Sequence, residues 1–249
     1  MSNQIFSRVE LMLGKATMEA IASARVAVFG VGGVGSWCVE SLVRSGVRRL
    51  MLVDSDCVCT TNVNRQLMAT SATIGQVKVD AIASRLREIN PDVEFDLRQQ
   101  IYDATTAESF DLTQWDYVID AIDSLENKAL LIRHALSIPS VTLFSSMGAA
   151  LKMDITQIRQ TDFRKVEGDG LARALRQKFR RTGGIPERHF ICVWSPEHRE
   201  NLGEPDPDDK LTFNKVRHNG TVMHTTATFG LALAGLVISD LTHRTTSGD

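Results

Sequence analysis

GVGGVG at residues 30–35 limits what this chain can fold into more than any other feature. It follows a short apolar run, Arg25–Gly30, in which Val26, Val28 and Phe29 mark a buried strand. A helix pattern follows from Ser36 to about Ser45, with Gly46 as its C-cap. A second apolar run, Leu50–Val53, ends on Asp54, 24 residues after Gly30. Strand, glycine loop, helix, strand and acid, in that order and spacing, form a mononucleotide-binding unit. Gly30 permits the tight turn, Gly32 lets a phosphate approach the backbone, and Gly35 lets helix and strand pack closely. The helix amides behind the loop face an anion, and Asp54 stands where a carboxylate meets a ribose.

The alternation continues along the chain. Residues 54–66 are polar, with turn or short-helix character, and residues 5–22 carry helical spacing broken by Gly14. Ile74 to Ile89 has a helix pattern ended by Asn90-Pro91. Strands are predicted at Val93–Leu97, Tyr117–Ile119 and Val141–Phe144, with a helix from Glu126 to Leu136. In an open parallel sheet ligands sit at the carboxyl ends of the strands, which places Asp54, Asp120, Asp123 and Ser145 together. Beyond that, an edge strand is predicted at Ile155–Ile158, a strand at Phe190–Trp194, and a small-residue helix from Thr221 to Leu241.

The expected architecture is therefore α/β, a Rossmann-like fold. A mostly parallel central sheet is flanked by helices, with C-terminal strands and a closing helix. One domain spans 1–249, with a nucleotide-binding core at 1–150. The C-terminal part, 151–249, carries a basic segment and a mobile acidic loop at 196–209.

Charge and cysteine usage narrow the setting. A formal net charge of -2 excludes a chain that is polybasic throughout, but residues 164–188 hold eight Lys/Arg against three acids. Leu171, Leu175 and Phe179 set an amphipathic helix within that segment, the best candidate surface for RNA phosphates. No secretory segment opens the chain, and Cys38, Cys57, Cys59 and Cys192 do not form a disulfide framework. A reducing cytoplasm is expected. The apolar stretch Leu231 to Ile238 is too short to span a membrane. Cys38 and Cys192 read as packing residues, and a structural zinc is not expected.

A lone glycine motif is weak, but five motifs occur in order: GVGGVG at 30–35, DSD at 54–56, NVNRQ at 62–66, GQVK at 75–78 and DAIDS at 120–124 with Asn127 and Lys128. This series resembles the E1-like (ThiF/MoeB-type) adenylating family. Within it the chain looks most like the bacterial dehydratases that act on threonylcarbamoyladenosine in tRNA. That likeness extends through REINP at 87–91, DITQI at 154–158 and TATFG at 226–230.

The resemblance implies ATP-dependent closure of the threonylcarbamoyl group through an acyl adenylate, with Mg2+. The partner would be tRNA carrying threonylcarbamoyladenosine. A homodimer and a sulfur-transfer protein partner are further expectations. The alternative is an adenylyltransferase for the C-terminus of a ubiquitin-like sulfur carrier. A nicotinamide oxidoreductase would not account for NVNRQ, Lys78 and DAIDS together.

By the same resemblance Gly30, Gly32, Gly33 and Gly35 cradle the nucleotide. Asp54 and Asp56 lie on the ribose side, and Asn62, Arg65 and Gln66 face the phosphates. Lys78 contacts phosphate and ribose, Asp123 binds Mg2+ or orients the reacting groups, and Arg8 reaches the partner subunit's triphosphate. Lys78 opens a helix, where a cation opposes the dipole, so a bound anion is expected there. Some family members carry a cysteine shortly before the final helix. FNKVRHNG at 213–220 has none, which disfavours a thioester route.

Overall fold

The computed structural model describes residues 2–204 and 219–247. Among them seven strands form one sheet: β1 (Arg25–Phe29), β2 (Arg49–Val53), β3 (Glu94–Arg98), β4 (Tyr117–Asp120), β5 (Thr142–Ser146), β6 (Arg159–Asp162) and β7 (Ile191–Trp194). Their order is β3-β2-β1-β4-β5-β7-β6, parallel throughout except for the antiparallel edge strand β6. Strands from the C-terminal third thus extend the sheet begun by the nucleotide-binding unit.

Among the described residues eight α-helices accompany the sheet: α1 (Ser2–Ile5), α2 (Ser7–Leu13), α3 (Lys15–Ser23), α4 (Gly35–Arg44), α5 (Lys78–Ile89), α6 (Leu125–Ser137), α7 (Gly170–Arg181) and α8 (Met223–Ser247). The inner strands are apolar runs because helices cover both faces, so both sides of each strand lose their water. On one face Val26, Val28, Leu50 and Leu52 meet Val39 and Leu42 of α4, Ile82 and Leu86 of α5, and Phe229 and Leu233 of α8. On the other, Ala27, Phe29, Met51 and Val53 meet Leu131 and Ile132 of α6 and Leu175 and Phe179 of α7.

Three expectations need correction. The helix predicted from Ile74 begins at Lys78. Residues 74–76 turn and Val77 is extended against the loop at 57–58 instead: Cys57 bridges Val77, Val58 donates to the carbonyl of Gln76, and Gly75 donates to that of Val58. Residues 155–157 form a turn of 3-10 helix and not the edge strand predicted at Ile155–Ile158. The Asp154 carboxylate accepts from the Thr156 amide, curling the chain, and the edge strand forms one step later as the polar RQTD.

The closing helix is also longer than predicted. Its 25 residues meet the length and apolarity of a membrane span, which the shorter apolar stretch did not. Half of that window is buried within the chain, against α4 and the sheet. The acidic loop predicted at 196–209 is described only to residue 204, and residues 213–218 of FNKVRHNG lie outside the described residues.

Candidate active site

The chain reverses direction across the sheet between β1 and β4, both of which end beside the glycine loop. Such a switch point opens a crevice at the carboxyl ends of the strands. Gly30 has φ +87 and its amide donates to the Val53 carbonyl at 2.8 Å. A methyl group at Gly30 would stand 2.7 Å from the Ala121 carbonyl oxygen, and one at Gly35 only 1.8 Å from that of Gly30. The loop is therefore folded tightly onto both α4 and the DAIDS turn, and no other residue type fits either position. Gly32 and Gly33 present open backbone, with Gln66 Nε2, Arg65 Cγ and Thr226 Cβ nearby.

Asp54 caps this loop from β2. Its Oδ2 accepts from the Val31 amide at 2.9 Å and its Oδ1 from the Asp56 amide at 3.0 Å. Lys78, the first residue of α5, reaches in: Nζ lies 2.7 Å from Asp56 Oδ2 and 3.6 Å from Asp54 Oδ1. The ammonium is buried, and the conflict with the helix dipole is met by these two carboxylates. Burial pushes the Asp54 carboxyl above its usual range even with Lys78 opposite. Burial alone would depress the Lys78 ammonium, but Asp54 and Asp56 outweigh it and hold the pKa above the ordinary lysine value. Lys78 therefore stays charged at neutral pH.

The 57–66 segment lines the other side. Asn62 is buried and its Oδ1 accepts from the Cys59 amide at 3.2 Å, so this side chain shapes the turn. Arg65 lies over Gly33, where its guanidinium donates to the Thr61 carbonyl and to Asn64 Oδ1. Trp37 Nε1 of α4 donates to the Arg65 carbonyl at 3.0 Å, anchoring this stretch to the glycine-loop helix. Gln66 is buried beside Gly32, and its Oε1 has no hydrogen-bond partner among the described residues. The Gln66 atom nearest Gly32 is Nε2, a donor facing a phosphate-type loop.

Asp120 and Lys128 were not predicted as a pair. Lys128 Nζ lies 2.8 Å from Asp120 Oδ2 with neither side chain exposed, and it also donates to the Ile122 carbonyl at 2.9 Å. Ser145 of β5 donates to Asp120 Oδ2 at 2.7 Å, and the Ile122 amide donates to Asp120 Oδ1. Asp120 is thus consumed by structure. Asp123, next along the turn, is exposed. Among the described residues there is no cluster of three His, Cys, Asp or Glu side chains suited to a metal. A single carboxylate beside a ligand that brings its own oxygens is the form left for Mg2+.

Ten of the residues singled out by sequence therefore converge: Gly30, Gly32, Gly33, Gly35, Asp54, Asp56, Asn62, Arg65, Gln66 and Lys78, with the Asp123 turn against Gly30. Arg8 does not join them. It is exposed on α2, with no hydrogen bond or ion pair among the described residues. Cys38 and Cys192 are buried, and burial raises the pKa of both thiols. The N-terminus of α8 also reaches the site: a methyl at Gly33 would stand 3.4 Å from Thr226. The sequence carried TATFG at 226–230 only as part of the resemblance, which did not place it at the site.

Comparisons with known proteins give the family. The chain is 39% identical over 95% of its length to the tRNA threonylcarbamoyladenosine dehydratase of Bacillus subtilis, of which 94% is covered. The crystal structure of E. coli tRNA N6-threonylcarbamoyladenosine dehydratase in complex with ATP superposes with a TM-score of 0.86 at 30% identity, covering 99% of this chain and 97% of that one. The same enzyme in complex with AMP gives a TM-score of 0.84 at 31% identity, covering 98% and 96%. The ThiF family model matches residues 2–247, and the chain belongs to the ThiF family.

Proposed function

We propose that this chain is an ATP-dependent dehydratase that cyclises threonylcarbamoyladenosine in the tRNA anticodon loop. The observation that carries the reading is the reach of the likeness. It runs through the C-terminal third as well as the nucleotide core, in relatives of matching length. The sulfur-carrier alternative accounts for the core alone.

The chemistry brings a carboxylate to a triphosphate, two anions that repel. The threonyl carboxylate oxygen attacks the α-phosphorus of ATP, and the bond to the bridging oxygen of pyrophosphate breaks. A nitrogen of the carbamoyl group then attacks the acyl carbon and loses its proton as AMP leaves. The net change is loss of one water from the nucleoside, with ATP converted to AMP and pyrophosphate. Fixed cations and aligned amides stabilise the charge that develops in both steps.

In this reading the glycine-loop backbone and the start of α4 hold the phosphates. Asp54 holds the ribose, Lys78 and Arg65 supply positive charge, and Gln66 offers its Nε2 as a donor beside Gly32. Asp123 supplies the protein carboxylate for Mg2+, which would neutralise phosphate charge when bound.

A homodimer belongs to the same proposal. Leu11 and Met12 on α2 are 81% and 84% exposed, a surface that a second copy would cover, and Arg8 on the same helix would then point out of its own chain. The cytoplasm is the corresponding setting.

Pyrophosphate release tests the reading. Release that requires threonylcarbamoyl-modified tRNA, and is absent with unmodified tRNA, is expected. Release that instead requires a carrier protein ending in Gly-Gly would overturn it.

A further inference from the structure

The basic segment 164–188 divides into two sets once its contacts are followed. Arg164 donates to the carbonyls of Pro186 and Glu187, Arg176 to those of Phe163 and Val166, and Arg188 to those of Ile138 and Val141. Lys178 pairs with Glu126 of α6. These four cations fasten connections around α7 and are committed to the fold.

Arg173, Arg180 and Arg181 are different. All three are exposed, and none of their side chains has a hydrogen bond or ion pair among the described residues. They stand at i, i+7 and i+8 on α7, with Gln177 at i+4, opposite the buried face of Ala172, Leu175 and Phe179. Arg180 and Arg181 lie in the last turn, where the helix dipole favours cations, but Arg173 has no such support. Arg173 lies in the first turn, where a cation opposes the helix dipole. Three guanidinium groups on one face also repel one another.

Their position is informative. Asp169 caps α7 by accepting from the Ala172 amide at 2.9 Å, and its other oxygen lies 3.7 Å from Lys152 Nζ. That carboxylate sits against Gly148, in the turn that leaves the carboxyl end of β5. The stripe therefore starts at the end of the sheet that carries the candidate site and runs away from it for about 12 Å of helix.

We infer that the outer face of α7, formed by Arg173, Gln177, Arg180 and Arg181, grips the phosphate backbone of the RNA substrate beside the nucleoside being modified. This rests on the proposed function for the identity of the RNA. Contacts of this kind supply affinity and orientation without reading bases, and they act by releasing counterions. Three contacts to single-stranded RNA account for a slope of about 2 in the logarithm of affinity against that of salt.

The test is the triple variant Arg173→Gln/Arg180→Gln/Arg181→Gln beside a control triple, Arg44→Gln/Arg49→Gln/Arg87→Gln, which removes the same charge from α4, β2 and α5. Binding of threonylcarbamoyl-modified tRNA is measured from low to moderate salt, together with ATP affinity and turnover at saturating tRNA. The α7 variant is expected to lose tenfold or more in tRNA affinity at low salt and about 2 in salt slope, with ATP affinity and saturated turnover kept. The control is expected to lose less than threefold. Single variants each lose part of the slope, so a poorly folded triple does not shield the idea. Wild-type slope and affinity in the α7 variants would overturn it, as would equal losses in the control. If tRNA binding depends on the stripe but no dehydrated product forms in the unaltered enzyme, the proposed function fails and the RNA-binding face stands.

Discussion

Lys128 Nζ sits 2.8 Å from Asp120 Oδ2 with both side chains wholly buried, and the same ammonium holds the Ile122 carbonyl one residue before Asp123. The pair stitches the end of β4 to the first turn of α6 and sets the path of the turn between them. Lys128→Met leaves the Asp120 carboxylate buried with only Ser145 and a backbone amide as donors. An unpaired buried charge costs about 3–5 kcal/mol. Urea unfolding is expected to show a loss of that size, and Asp120→Asn combined with Lys128→Met should recover a large part of it. A loss below about 1 kcal/mol in the single variant would mean the pair is not holding the turn.

Lys78 is the cation between Asp54 and Asp56. Lys78→Ala leaves those two carboxylates facing the incoming triphosphate. A hydrogen bond to a charged group contributes about 1.5–3 kcal/mol, so ATP affinity should fall by roughly 10- to 150-fold. Calorimetric titration with ATP checks this. Unchanged affinity would remove Lys78 from the phosphate site.

Glu40 of α4 ties the glycine-loop helix to α5 through Arg85, with contacts of 2.6 and 3.1 Å, and pairs with Arg44 one turn along. Burial alone would raise its pKa, but the two guanidinium groups outweigh it and hold the carboxyl below its ordinary value of 4.5. A carboxyl depressed in the folded state contributes stability that is present above the unfolded pKa and lost as pH falls through the folded one. Denaturant midpoints at pH 6 and pH 3.5 should therefore converge for wild type and Glu40→Gln, with wild type more stable at pH 6. A constant difference across that range contradicts the assignment.

Much of this was legible before the structure. β1, β2, β4 and β5 are short apolar runs because both faces are covered, and that signal survives in the sequence. The glycine loop was legible because its spacing follows from backbone contact, as the approach of Gly35 to Gly30 shows. Other features carry no local signal. RQTD of β6 is polar and sits at the edge, so neither alternation nor apolarity marks it. The start of α5 was misplaced because a contact with Cys57, far outside any helical window, holds Val77 extended. Lys128 was visible as part of a motif, and its spacing to Leu131 and Ile132 puts it on the inner face of α6, but a lysine reads as buried only once its partner Asp120 is seen across from it. Glu40 and Arg85 lie 45 positions apart and meet only because α4 and α5 pack side by side. Arg8 stays apart from the site within one chain, and nothing in its local sequence marks that.

The most direct test of the central claim is mass spectrometry of nucleosides from threonylcarbamoyl-modified tRNA incubated with the enzyme, Mg2+ and ATP, beside Asp123→Ala. An ATP-dependent loss of one water from the modified adenosine, absent or reduced at least a hundredfold in Asp123→Ala (about 3 kcal/mol in the barrier), is predicted. Unaltered nucleoside from folded, ATP-binding enzyme would contradict the account and direct attention to another carboxylate substrate.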